Sequence, residues 1–165
     1  MMDQRRLRDI AGSFATGVTV VTSRANDGTP IGMTVNSFTS LSLDPPMVLV
    51  TIAKRASLYA DFMRAESFAV NVLCAEQEGL SRTFAAKGID RFAHLDYRQQ
   101  ATGAPVLDGV LGYFDCKVTE RYEGGDHIIL VGEVVDGDVN EGQPLLFFKG
   151  QYASIQVQAA PASRS

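Results

Sequence analysis

Short runs of β-branched and apolar residues, each closed by turn chemistry, recur along the whole chain and leave little room for long helices. Residues 18–23 (VTVVTS), 47–52 (MVLVTI) and 67–74 (SFAVNVLC) have the composition of buried strands. Residues 112–121 and 127–135 are two further strands around Glu123-Gly124-Gly125-Asp126, a hairpin-type turn. Residues 31–43 (IGMTVNSFTSLSL) form one long strand or a strand pair. They follow the Asp27-Gly28 turn and stop at Asp44-Pro45-Pro46, where neither proline can donate to a ladder. Residues 145–148 and 151–155 close the pattern around Gly150, with Phe148 expected in the core.

Helical spacing is confined to three places. In residues 3–14, Leu7, Ile10, Ala11 and Phe14 share one face behind an Asp3 cap, and Arg5, Arg6 and Arg8 are solvated. Residues 58–65 follow Ser57, a candidate cap, with Leu58, Phe62 and Ala65 on one face. Residues 75–86 point Leu80 and Phe84 inward, and 88–100 reads as loop. Strands and helices do not alternate regularly, which argues against a doubly wound parallel sheet. A mainly β single domain, a small antiparallel barrel with peripheral helices, fits better. It is expected to span residues 1–156, with a disordered tail over 157–165.

Charge and motifs exclude several chemistries. The chain of 165 residues carries a net charge of −4 and no Trp, a poor basis for a nucleic-acid surface. No apolar run is long enough to span a membrane, and no secretory leader is visible. Cys74 and Cys116 lie far apart with no CxxC, and His94 and His127 sit in no HExxH, so no metal site is expected. The cysteines read as two small buried residues in a reducing cytoplasm. Glycine-rich phosphate loops and a GxSxG elbow are absent. Catalysis, if present, therefore belongs to a bound cofactor. The stretch 32–43 is unusually polar for a strand. Its hydroxyls and amide suit either a wet edge or a planar, polar ligand.

In order and spacing, 15–22 (ATGVTVVT), 32–50 (GMTVNSFTSLSLDPPMVLV), 68–73 (FAVNVL), 125–134 (GDHIILVGEV) and 144–152 (PLLFFKGQY) resemble the flavin reductase-like domain. The closer likeness is to the small reductase components of two-component flavin-dependent monooxygenases. The resemblance implies a Greek-key split β-barrel that binds FMN or FAD, a homodimer, and hydride transfer from NADH or NADPH to flavin. It also implies a separate flavin-dependent oxygenase that takes the reduced flavin.

The resemblance assigns residues as well. Thr34, Val35, Asn36 and Ser37 match the segment that meets the flavin ring, and Ser40, Leu41 and Ser42 a neighbouring contact. Ala53, Lys54 and Ser57 match the loop that receives the flavin phosphate, where Arg55 adds charge. Phe84, Lys87, Arg91 and Phe92, with Ser81, match the segment over the nucleotide side. His127 is placed near the flavin and nicotinamide rings in a positioning or polarising role, and Tyr152 lines the groove. Alternatives are a non-catalytic flavin carrier or redox sensor, a pyridoxamine-phosphate-oxidase-like enzyme of the same barrel, and an oligonucleotide-binding barrel.

Overall fold

The computed structural model describes residues 1–156 and 158. Helix α1 (Gln4–Gly12) leads into β1 (Thr16–Gly17), β2 (Thr19–Arg24), β3 (Pro30–Val35), β4 (Phe38–Leu43) and β5 (Pro46–Ala53). Helix α2 (Tyr59–Arg64), β6 (Ser67–Val72) and α3 (Glu78–Ala85) follow. Then come β7 (Tyr97–Gln99), β8 (Pro105–Leu107), β9 (Gly112–Gly124), β10 (His127–Val139), β11 (Leu146–Phe148) and β12 (Gln151–Ala153).

Seven strands form one antiparallel sheet in the order β3-β2-β6-β9-β10-β5-β4. Its edges, β3 and β4, are consecutive in the chain and separated only by Asn36 and Ser37. Two linking residues span about 7 Å at full extension. The two edges are therefore forced together, and the sheet curls into a barrel. The Ser37 hydroxyl oxygen seals the junction by accepting a hydrogen bond from Thr51 Oγ1 of β5 at 2.7 Å.

β2 and β6 are buried on both faces. Val21, Phe68 and Val70 point into the barrel with Val50, Ile52 and Leu130. Val20, Ala69 and Leu73 face a second core beneath α3, β8 and β11, which contains Phe84, Val106, Leu107 and Leu145. This explains why 18–23 lacks alternation: neither side meets water. Asn71, fully buried, sews the layers together. Its amide donates to the Val20 carbonyl at 3.0 Å and its oxygen accepts from Leu107 N–H at 2.8 Å.

Of the two forms open to residues 31–43, the structure takes the strand pair, broken at Asn36-Ser37. Several other expectations need correction. Ser57 does not cap α2. Ala56 N–H bonds the Ala53 carbonyl and Tyr59 N–H the Ala56 carbonyl, so two turns intervene and the helix starts after Leu58. The 75–86 helix opens as a 3₁₀ turn over Ala75–Gln77 before α3. The 88–100 stretch contributes β7, and the 112–139 hairpin runs longer than its apolar pattern. Phe148 is 39% exposed; strand alternation puts Phe147 inward instead. Cys116 is buried, whereas Cys74 is half-buried. Helix α1 keeps its Asp3 cap but buries no residue. Among the described residues no helix is long and apolar enough to cross a membrane. The tail expected over 157–165 lies outside the described residues, Gln158 apart.

Candidate functional site

A cleft of about 300 Å³ opens between β3 and the segment that follows α3, lined by Gly32, Ser57, Lys87, Arg91 and Phe92 among others. It shares Ser57, Lys87 and Arg91 with a smaller cleft of about 200 Å³ that adds Thr34 and Phe84. Six of the sequence-predicted residues, Thr34, Ser57, Phe84, Lys87, Arg91 and Phe92, thus meet around one continuous depression.

The close approach of β3 and α3 builds this depression. Gly32 lets the Phe84 ring approach the strand closely, since a Cβ there would stand 2.8 Å from Phe84 Cε1. Phe84 itself is fully buried and packs edge-on against Phe92 at 5.1 Å, so it is the floor of the cleft rather than an exposed contact. Thr34 Oγ1 donates to the Ser81 carbonyl of α3 at 2.6 Å. On the other side, Ser81 Oγ and Tyr152 Oη lie 2.7 Å apart, and the Arg82 guanidinium stacks 4.8 Å from the Tyr152 ring. Val35 is buried, so its side chain faces the core.

Arg91 is bound by carbonyls alone. Nε and Nη2 donate to the Ala86 carbonyl at 3.0 and 2.7 Å, and Nη1 to the Gly32 carbonyl at 2.7 Å. Three of a guanidinium's five N–H groups are used, leaving two (5 − 3) for a ligand. Burial lowers its pKa below the ordinary arginine value. Among the described residues neither Arg91 nor Lys87 pairs with a carboxylate. Asp90 also lines the cleft, so its two unpaired cations leave a net positive charge, a setting for an anionic group such as a phosphate.

A second group gathers where β5 meets β10. His127 pairs across from Ala53, and Lys54 N–H donates to the Asp126 carbonyl at 2.9 Å. Lys54 Nζ forms an ion pair with Glu123, which raises the lysine pKa. Asp126 Oδ1 lies 2.7 Å from His127 Nδ1, and that contact holds the Asp126 carboxyl below its ordinary pKa. Gly125, at φ 68°, makes the tight turn that sets this pair at the hairpin tip.

The structure does not gather every predicted residue. Ser40 and Ser42 lie opposite Val48 and Met47, far along β5 from Ala53, and a bulge between them turns Leu41 outward, 51% exposed. Asn36 is exposed and lines a separate cleft of about 160 Å³ with Phe14 and Lys149. Gly32 and the Ser81 link were not assigned roles from sequence. A glycine inside a β-branched strand is the signal that marks a close approach.

The flavin reductase-like domain profile matches residues 11–156. The chain belongs to that family. The reductase component of a flavin-dependent trigonelline monooxygenase from Acinetobacter baylyi is 46% identical over 148 residues. That match covers 90% of this chain and 48% of the relative, so this flavin reductase-like chain spans about half the relative's length. The FMN reductase (NADH) SmoA of Agrobacterium fabrum is 44% identical over 156 residues, covering 94% of this chain and 88% of SmoA. Among solved structures, the NADH:FAD oxidoreductase SgcE6 of Streptomyces globisporus, in complex with NAD and FAD fragments, superposes with a TM-score of 0.86. It is 38% identical, over 98% of this chain and 96% of that one. The barrel is thus the split barrel of the flavin reductases.

Proposed function

We propose that this chain reduces flavin with a reduced nicotinamide nucleotide, NADH by preference, and supplies the reduced flavin to a separate flavin-dependent oxygenase. The observation that carries the reading is the single depression gathering Thr34, Ser57, Lys87 and Arg91, with both cations free of carboxylates. NADH rather than NADPH follows the names of SmoA and SgcE6, and the oxygenase partner follows that of the Acinetobacter relative.

The residues fit a flavin. Its phosphate calls for cations and hydroxyls, which Lys87, Arg91 and Ser57 offer, with Lys54 and Ala53 at the next turn. Its planar ring calls for donors and acceptors along one edge, for which the polar segment 34–37, with Thr34 in the cleft, is the candidate. When bound, the flavin supplies the ring that accepts hydride from the nicotinamide. The chain's own part is to stack the two rings at close range and exclude water. His127 acts as a positioning or polarising group, with Asp126 holding its Nδ1. Tyr152 acts through Ser81.

The protein acts as a homodimer in a reducing cytoplasm. The apolar stripe of α1 and the residues after it support the dimer: Leu7, Ile10 and Phe14 are 53%, 52% and 77% exposed among the described residues. A helix of this length is short of the ~12–15 residues at which isolated helices become marginally stable, so a partner surface is needed. The two free cysteines support the compartment.

The test is oxidation of NADH and NADPH in air with FMN, FAD or no flavin. NADH consumption that depends on added flavin and saturates with it is the expected result. Tight flavin retention without nicotinamide turnover would replace the reading with a flavin carrier or redox sensor.

A further inference from the structure

β7 and β8 form a two-stranded sheet of their own, and among the described residues no ladder joins it to the seven-stranded sheet. β8 is held by packing, since Val106 and Leu107 are fully buried. β7 buries no residue, so its place follows from β8 and from the turn that joins them. Two charged side chains of the barrel strands grip that turn. Asp115 of β9 accepts the Thr102 N–H at 2.9 Å on one carboxyl oxygen and the Thr102 hydroxyl on the other. Arg24 of β2 donates its Nε–H to the Gly103 carbonyl at 2.8 Å. Asp115 is fully buried and, among the described residues, pairs with no cation. A buried carboxyl is costly unless its oxygens are bonded, and both are bonded to one residue of the turn.

The start of β7 reaches the cationic cleft. Tyr97 packs edge-on against Phe92 at 5.5 Å, and Phe92 lines the cleft beside Arg91. Neither Asp115 nor any residue of 97–107 lines that cleft or its smaller neighbour. We propose that Asp115 is a positioning residue for the cationic cleft: it latches the turn of the β7–β8 hairpin, and the hairpin, through Tyr97, holds Phe92 in the cleft wall. The proposal rests on the flavin reading above, and adds a buried carboxyl outside the cleft to the groups that set flavin affinity.

The experiment combines hydrogen exchange and FMN titration on the full chain. Asp115→Asn keeps the shape but leaves Thr102 one acceptor oxygen instead of two. It is expected to speed exchange over 97–107 while β6 and β10 keep their protection, and to weaken FMN binding about tenfold. Thr102→Val removes the hydroxyl alone. It should act in the same direction, and it carries the test if Asp115→Asn fails to fold. Thr102→Ser keeps both donors and should behave as wild type. Latching and binding are reciprocal, so FMN added to the wild type should slow exchange over 97–107, an effect that a purely structural carboxyl would not produce. Tyr97→Leu cuts the path. In that background Asp115→Asn should still speed exchange but cost no further affinity. Unchanged exchange over 97–107 in Asp115→Asn overturns the proposal, as does unchanged FMN affinity in a variant whose hairpin exchanges faster. An equal loss of affinity with and without the Tyr97 ring overturns it too. If the wild type binds no FMN, the functional reading itself falls, and this proposal with it.

Discussion

At the scale of single residues, the tightest point is a glycine facing an aromatic ring. Gly132 sits on β10 at a register shift against β9. A Cβ there would stand 2.6 Å from two Phe68 ring atoms and 2.8 Å from Cys116 Cβ. Phe68 and Cys116 are fully buried and cannot swing aside into solvent. Gly132→Ala is therefore expected to cost about 1–3 kcal/mol through overpacking, a fall of several degrees in melting temperature. Pairing it with Phe68→Leu should recover part of the loss, and a double-mutant cycle on melting checks the coupling. Additive losses would mean that the ring is not what meets the new methyl. Cys116 belongs to the same contact. Burial, with the nearby Asp115 charge, pushes its thiol up to about 12, so it packs as an apolar group and is a poor nucleophile.

At the scale of elements, the layer over β2 and β6 depends on one amide. Asn71→Ala leaves the Leu107 N–H and the Val20 carbonyl without their partner in a site sealed from water. We expect a loss of about 3 kcal/mol in urea unfolding, and faster hydrogen exchange at Leu107 than at the barrel strands. Uniform loss of protection across all strands would show that the layer and the barrel open together. The strand character of 18–23 and 67–74 was legible because β-branched runs bounded by turns have few other uses. What covers their outer face was not, because residues 97–107 have no periodicity of their own. Ser57 misled because two turns before α2 displace the helix start, which no local cap preference encodes. Phe147 and Phe148 were indistinguishable by composition; only the register of β11 against β1 decides which is inward. In the site, the cations Lys87 and Arg91 were legible as charge, and the resemblance placed them. That Arg91 spends three N–H groups on carbonyls, and Thr34 its proton on Ser81, was not legible, since backbone acceptors carry no sequence signature.

At the scale of the whole molecule, closure of the barrel and the proposed contact with the flavin ring share one segment. The linker that joins the two sheet edges, Asn36-Ser37, is also the segment assigned to the flavin ring, and Ser37 fastens it to β5 through Thr51. Two glycines inserted between Asn36 and Ser37 separate these roles. Lengthening a loop is cheap, about 0.6 kcal/mol per doubling, and losing the Ser37–Thr51 bond adds about 1 kcal/mol. The barrel should therefore still fold, with its urea midpoint only slightly lowered and its denaturant slope unchanged. Flavin affinity should drop far more, by about a hundredfold, because the ring's polar edge contacts are no longer pre-positioned. Parallel urea melts and flavin titrations of one variant read both quantities. Affinity falling only in proportion to stability would mean that the linker merely closes the barrel, and that the flavin is held by the cationic cleft of Ser57, Lys87 and Arg91 alone.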